Sequence, residues 1–327
     1  MVDPRLALFD TVVPVAVKDQ SAQTTPGTRP GRWRPGPRLI RGFALAAVFA
    51  QGGIAVTGAT VRVTGSGLGC ATWPECQPGS LIPESRSGLS GVHQAIEFSN
   101  RTLTGVVLIA ALGTFALLLM ARPQQPGILK IAAAGPIGVL FQAVWGGIVV
   151  HTELSWWTVA PHMLVSLVLL FFAIWLHQRL VDEARSAPAV GTGLARPLVL
   201  LTWATTGVLL LLCVAGTLTT AAGPHAGDSE TPRLGWSVRA IAQVHADLMF
   251  LYLGLVVALA VALIAVKAPE RLRRRLWVLV AVTLAQGLIG LVQYATGVPE
   301  ALVVSHVLGA ALLTAAAARV TYTATRG

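Results

Sequence analysis

Long apolar runs separated by short polar segments fill the chain after residue 41. The runs lie at about 42–60, 102–121, 129–150, 158–178, 198–220, 241–266, 276–294 and 302–321. Each is close to the ~20 apolar residues with which a helix crosses the hydrocarbon core of a bilayer. The pattern therefore predicts eight transmembrane helices.

The composition supports a membrane protein and excludes two other classes. Hydrophobic residues make up 54% of the 327 residues and charged residues only 12%, whereas an average soluble domain carries about 25% charge. A water-soluble globule and an intrinsically disordered chain are both excluded. The predicted fold class is an all-α integral membrane protein.

Residues 1–41 form a polar segment with seven Lys/Arg and three Asp. A stretch rich in proline and glycine at 25–31 cannot build a core, so we predict a disordered cytoplasmic tail. The alternative is a cleaved signal peptide made of this tail and the first helix. The apolar run is too long for such a signal, and no clear cleavage site follows it.

The basic residues predict the orientation of the helices. With eight spans, 19 of the 24 Lys/Arg fall on the side that carries both termini. The excess of positive charge places that side in the cytoplasm. The net charge of +10 thus reports topology and contact with membrane lipid, and it predicts no nucleic-acid partner. The long loops at 61–99 and 221–240 are then extracytoplasmic.

The two halves of the chain resemble each other. A glutamine precedes a histidine by 20 residues in each half, as Gln142 and His162 and as Gln286 and His306. Each half holds four spans, which is an even number, so both have the same orientation. We predict two pseudo-symmetric four-helix bundles, at 42–178 and 198–321, joined by a cytoplasmic linker at 179–197.

Further matches extend this repeat toward the start of each half. Three glycines, at 58, 65 and 69, recur at 216, 223 and 227 with a constant offset of 158. The pair Ala95-Ile96 recurs as Ala240-Ile241, which aligns Asn100 with His245.

Three histidines fall inside helices, near their extracytoplasmic ends and at similar depth: His162, His245 and His306. A single buried histidine often just bonds a neighbouring helix, but a matched and repeated pair favours ligation of a metal or haem. Zinc takes four ligands, and the sequence offers no clear third and fourth. Ligation of a haem iron by His245 and His306 in one bundle is the sharper hypothesis.

The first loop contains two features that could carry chemistry. Cys70 and Cys76 lie close together in an extracytoplasmic loop, which favours a disulfide, with two free thiols as the alternative. Glu97 precedes Asn100 by three residues, so the two side chains share a helix face. Glu97 could cap the second helix, or it could direct a carboxylate at a cofactor in the first half.

Together these residues resemble the haem A synthase family over about residues 40–322. The resemblance rests on Gly65-Ser66-Gly67-Leu68-Gly69-Cys70, Trp73-Pro74, Cys76, the segment from Glu97 to Arg101 and the repeated histidines. It implies a bacterial cell-membrane enzyme that oxidises the C8 methyl of haem O to a formyl group. Two successive hydroxylations would give haem A after loss of water.

The resemblance also implies the roles of individual residues. His245 and His306 would be the axial ligands of a permanent haem b. The N-terminal half would hold the substrate haem O with His162 as an iron ligand. Glu97 would act at the reaction centre, and Asn100 and Arg101 would line the substrate haem pocket. Cys70 and Cys76 match the family's cysteine pair, and a haem O synthase (protoheme farnesyltransferase) would be a partner.

One position departs from the family pattern. The segment commonly reads Glu-X-X-His-Arg, but here Asn100 takes the histidine position. The simplest alternative is a five-coordinate substrate haem on His162, with Asn100 donating a hydrogen bond. Two other functions stay open: a non-catalytic b-type cytochrome that transfers electrons, and a small-molecule transporter with repeated halves.

Overall fold

The computed structural model describes residues 34–84, 90–121, 125–184 and 193–326. Within these ranges the chain is helical, apart from loops and one isolated bridge between Gln77 and Ser80. The helices are α1 (Pro37–Val63), α2 (Gly91–Met120), α3 (Pro126–His151), α4 (Trp156–Ala184), α5 (Arg196–Ala222), α6 (Val238–Ala265), α7 (Glu270–Ala295) and α8 (Glu300–Ala324).

All eight helices are long and apolar enough to cross a membrane. The shortest, α8, has 25 residues. At a rise of 1.5 Å per residue it is about 37 Å long, which exceeds the ~30 Å of hydrocarbon in a bilayer. The predicted fold class, an all-α multi-pass membrane protein with eight spans, is confirmed.

Several helices begin before their apolar runs because polar residues continue the helix. Helix α1 begins at Pro37 rather than at residue 42; proline suits the first turn, where its missing N–H is not needed. Helix α2 begins at Gly91, although its apolar run starts at about 102. The predicted disordered tail lies outside the described residues as far as 33, and so does the predicted linker over 185–192.

The helices pack as two rings of four. In the N-terminal half each of α1, α2 and α3 contacts the next helix, and α4 returns to α1. Helices α5 to α8 repeat this arrangement in the C-terminal half. The halves meet where α1 and α4 pack against α8 and where α4 packs against α5. The architecture is therefore a pair of four-helix bundles, as the repeat predicts.

Four connections lie at one end of the molecule, which we call the loop end; their described residues are 64–84 with 90, 152–155, 223–237 and 296–299. They are joined by hydrogen bonds between distant parts of the chain. Gly67 N donates to Gly227 O at 2.9 Å, and Thr231 Oγ1 donates to Glu153 O at 3.3 Å. A further bond of 2.9 Å joins His225 Nε2 to Val298 O. The loop end therefore ties the two halves together.

The opposite end, where α1 begins and α8 ends, is called the terminal end. Here a buried carboxylate on α4 joins the two halves. Asp182 Oδ1 accepts a bond of 2.5 Å from Arg271 on α7. Its Oδ2 accepts from Tyr322 Oη at 3.0 Å and from Arg326 at 3.2 Å. One carboxylate therefore has three partners from the C-terminal half.

We expect Asp182→Asn to lower the stability of the folded protein by about 1–2 kcal/mol, because charge-assisted hydrogen bonds are lost while both arginines stay partly hydrated. The measurement is the midpoint of thermal unfolding in detergent. Glu183→Gln is the matched control, since Glu183 is more exposed (31% against 8%) and pairs with Arg179 at 3.5 Å. Equal midpoints for the two variants would show that the Asp182 network does not stabilise the fold.

Candidate functional site

Two histidine rings face each other in the C-terminal half. His245 on α6 and His306 on α8 have ring centres 6.3 Å apart and ring planes at 67°. An iron held at about 2 Å from one nitrogen of each ring would leave the ring centres about 6 Å apart, by analogy with other metal–imidazole bonds. The observed spacing therefore fits two axial ligands on one iron.

The surroundings of this pair also suit ligation. A hydrogen bond of 3.1 Å joins His245 Nδ1 to Leu212 O. When Nδ1 carries the proton, Nε2 keeps its lone pair for a metal, which is the usual arrangement around ligating histidines. His306 Nδ1 is buried and has no hydrogen-bond partner among the residues that the structure describes.

Two glycines of the repeat lie directly against these rings. A side chain at Gly216 would place its Cβ 3.1 Å from His245 Cε1, and one at Gly290 would approach His306 Cε1 to 3.0 Å. Glycine therefore lets each imidazole pack against the neighbouring helix. In the other half Gly216 corresponds to Gly58 and Gly290 to Gly146, but nothing in the sequence shows that these glycines contact the histidines.

The N-terminal half reproduces part of this arrangement. Gln142 Nε2 donates to His162 O at 2.7 Å, as Gln286 Nε2 donates to His306 O at 2.8 Å. A Cβ at Gly146 would lie 3.6 Å from His162 Cε1. In the described part of the chain, His162 Nδ1 is likewise buried without a partner. His162 thus occupies the position that His306 has in the other half.

The second histidine of the pair has no equivalent in the N-terminal half. Asn100 occupies the position of His245, and its Oδ1 accepts a hydrogen bond of 2.6 Å from Thr57. A Cβ added to Gly58, the counterpart of Gly216, would meet no atom within 4 Å. The N-terminal half therefore offers one imidazole, that of His162, and unfilled space beside Gly58.

The cysteine loop is fixed to α2 by Glu97 and Arg101. Cys70 and Cys76 form a disulfide, as predicted. Cys70 N donates to Glu97 Oε2 at 2.7 Å, and Arg101 Nε donates to Glu97 Oε1 at 2.9 Å. Arg101 also donates to the carbonyls of Thr72 at 2.7 Å and Cys70 at 2.6 Å. All three guanidinium nitrogens are thus engaged by Glu97 and the loop.

This geometry excludes one of the two interpretations of Glu97. Helix α2 begins at Gly91 with Ser90 at its N-cap, so Glu97 lies in the second turn and the capping interpretation is wrong. Glu97 is buried, with only 5% of its surface exposed. Its carboxylate is held between the helix and the loop.

The loop also reaches the surroundings of His162. A side chain at Gly147 would place its Cβ 2.7 Å from Trp73 Cδ2, so the Trp73 ring lies against α3. Gly146, which precedes Gly147, is the glycine beside His162. At Gly69 an added Cβ would collide with His93 O at 2.6 Å. The loop therefore packs on both α2 and α3 beside the N-terminal candidate site.

A cavity lies among the four helices of the N-terminal half, on the terminal-end side of His162. Small side chains form much of its wall: Ala44, Ala47, Ala111, Ala132, Gly135 and Ala173. Two polar side chains, Gln51 and Thr114, also line it.

The repeat shows what the C-terminal half has at the same positions. Ala132 and Gly135 match Leu276 and Leu279 at the offset of 144 residues that relates Gln142 to Gln286. These leucines are buried in the core of the C-terminal half. At these two positions the C-terminal half is therefore filled by leucine, where the N-terminal half has a small cavity of about 40 Å³.

Comparisons with known proteins show the family of this chain. The sequence model of the cytochrome oxidase assembly protein family (COX15-CtaA) matches residues 41–318. A haem A synthase from Rhizorhabdus wittichii is 25% identical over 88% of this chain and 94% of its own length. One from Exiguobacterium sibiricum is 33% identical over 46% of this chain, and the match spans only about half of that relative, 52%.

A third similarity is local. The protoheme IX farnesyltransferase of Thermus thermophilus is 36% identical over 26% of this chain but only 13% of its own length. The family match, by contrast, covers most of the eight-helix region. The chain therefore belongs to the cytochrome oxidase assembly protein family.

Proposed function

We propose that this protein is a haem A synthase, which oxidises the C8 methyl of haem O to a formyl group. The observation that carries the proposal is the unequal pair of sites in two otherwise matched bundles. One site presents two facing imidazoles, and the other presents a single imidazole and unfilled space beside Gly58. The names of the relatives from Rhizorhabdus and Exiguobacterium support the same activity.

The C-terminal half suits a permanent cofactor. His245 and His306 would hold a haem b from both sides, because their spacing fits one iron. A haem with both axial positions filled supplies electron transfer rather than substrate chemistry. The buried leucine core beneath the pair would keep this half rigid.

The N-terminal half suits a substrate that enters and leaves. His162 would bind the iron of haem O from one side, and Asn100, held by Thr57, would leave the other side open. Haem O carries a long farnesyl-derived chain that needs apolar space. The cavity of about 40 Å³ lined by small residues such as Ala132 and Gly135 would receive only the end of that chain, because the matching positions in the other half hold leucines.

Glu97 has the best position for acid–base work at this site. It shares a helix face with Asn100, and its carboxylate is fixed by Cys70 N and Arg101. We propose that Glu97 accepts a proton or stabilises positive charge near the methyl group of the substrate. The disulfide loop, whose Trp73 lies against α3, would hold this carboxylate in place and exclude water.

The supply of substrate and the location of the protein follow from the same assignment. We propose that a haem O synthase of the protoheme farnesyltransferase type delivers haem O, since a farnesyltransferase from Thermus shares similar sequence with this chain. We further propose that the protein lies in the bacterial cell membrane with both termini in the cytoplasm. The disulfide at the loop end supports an extracytoplasmic, oxidising environment there.

A non-catalytic b-type cytochrome is the second candidate, and the histidine pair on α6 and α8 is the observation that favours it. That function leaves the cavity and the single His162 unexplained. A transporter would have its binding groups near the middle of the membrane, whereas the histidines here lie toward the loop end.

The activity is tested in a bacterial host that makes haem O but no haem A. We expect expression of this protein to yield haem A on extraction and chromatography. Glu97→Gln is expected to lower the yield of haem A about 100-fold or more, the usual contribution of acid–base catalysis, while haem O stays bound. Glu75→Gln, which removes a carboxylate from the cysteine loop, is the control and should retain activity. Haem B as the sole haem in the wild type would support the cytochrome instead.

The role of the cavity is tested by replacing Gly135 with leucine, the residue at the matching position of the C-terminal half. Gly135→Leu should lower the amount of haem O that copurifies, because the leucine fills the space proposed for the farnesyl-derived chain. The ratio of haem O to haem B in the extracted protein is the measurement. Val144→Phe is the control, since Val144 lies on the same helix and is 57% exposed. An unchanged ratio in Gly135→Leu would contradict this use of the cavity.

A further inference from the structure

Arg62, in the last turn of α1, lies between the two halves at the loop end. Its Nη2 donates to His225 O at 3.1 Å, and its Cγ lies 3.9 Å from where a Cβ on Gly227 would be. The Nε of Arg62 is buried and has no partner among residues 34–84, 90–121, 125–184 and 193–326. The guanidinium thus has an unused donor inside the protein.

The nearest charge does not compensate for this. A second arginine, Arg233, is the charged side chain whose field reaches Arg62. Arg233 is itself held by backbone carbonyls, those of Pro224 at 2.9 Å and Thr231 at 3.2 Å. The ion pairs within the described residues leave Arg62 without a carboxylate. A partly buried cation beside a like charge is destabilising unless an anion pairs with it.

The position of Arg62 relates this unpaired charge to the N-terminal site. Arg62 follows Gly58 by four residues, so the two lie on one face of α1, about 6 Å apart along the helix. Gly58 borders the open space beside Asn100, and its counterpart Gly216 contacts His245. Arg62 therefore lies one helical turn from that space, toward the loop end.

The repeat shows that the arginine is special to this half. At the offset of 158 residues that relates Gly58 to Gly216, Arg62 matches Thr220. Thr220 Oγ1 donates to Gly216 O in its own helix at 2.9 Å, so the Thr220 hydroxyl needs no partner from outside the helix. Within the described residues, an unsatisfied cation at this position occurs in the N-terminal half alone. This is also the half with a single imidazole.

We propose that Arg62 binds a carboxylate of the substrate haem in the N-terminal half. The inference rests on the proposed function and extends it to a residue that orients the substrate. A guanidinium pairs well with carboxylates because it offers parallel donors. Arg101, the other arginine beside this site, is already engaged by Glu97 and the loop. With its carboxylate end toward the loop end, the substrate would extend its apolar chain toward the cavity.

The test compares the affinity of haem O with that of its dimethyl ester, in which the carboxylates are neutral. Both ligands are titrated into purified protein that already holds the C-terminal haem, and binding is followed by absorbance. We expect the wild type to bind haem O about tenfold more tightly than the ester, the gain from one charge-assisted bond. In Arg62→Gln the affinity for haem O should fall to that for the ester, which should not change.

The controls separate the alternatives. Arg239→Gln removes an exposed loop-end arginine and should keep the tenfold preference. A preference that persists in Arg62→Gln overturns the proposal and is the result expected if Arg62 binds a lipid phosphate. Equal weakening of both ligands also overturns it, because it would show that Arg62 only supports the fold of the site. If Arg62→Gln loses the spectrum of the haem between His245 and His306, the variant is misfolded and Arg62→Lys is used instead. Because Arg62→Lys keeps the positive charge, it must keep part of the preference for haem O over the ester. A wild type that binds no haem O would instead refute the proposed function.

Discussion

Polar groups inside a membrane protein must find their partners within the protein, because the hydrocarbon offers none. This constraint governs how the two bundles are built. The side-chain amides of Gln142 and Gln286 each donate a hydrogen bond to the backbone carbonyl of a histidine on the next helix. That bond fixes the turn from which each histidine projects. Among the described residues, the buried donors and acceptors left over include the ring nitrogens of His162 and His306 and the Nε of Arg62.

The two halves use one architecture for two purposes. In the C-terminal half, two glycines pack against a pair of imidazoles, and a core of buried leucines lies beneath them. In the N-terminal half, Asn100 replaces one imidazole, and small residues replace the leucines. An arginine also replaces the self-satisfied threonine. Each change opens space or leaves a polar group unsatisfied, which is what a site for an exchangeable ligand needs.

The periodicity of the sequence was sufficient to predict the eight helices, their pairing into halves and the three histidines, because burial in lipid and duplication both leave regular patterns. It was insufficient for the start of α2. Residues 91–101 mix polar and apolar side chains, and they stay helical because Glu97 and Arg101 bond to a loop more than 20 residues away. Such long-range bonds have no local pattern, so Glu97 was open to interpretation as a cap.

The role of Arg62 was hidden for a related reason. Counted along the chain, it is one of five basic residues on the loop side and contributes only to the orientation. Its proposed role depends on its surroundings, His225 and Arg233, which are more than 160 residues away and belong to the other half. The glycines beside the histidines were visible as a repeat, but their contact with the rings appears only in three dimensions.

The central claim is that the two halves ligate iron differently, and electron paramagnetic resonance tests it most directly. The ferric protein, purified with both haem b and haem O, should show a low-spin signal from iron between His245 and His306 and a high-spin signal from iron on His162 alone. Replacement of His162 by alanine should remove the high-spin signal and leave the other intact. Two low-spin signals in the wild type, or a high-spin signal that survives His162→Ala, would contradict the account.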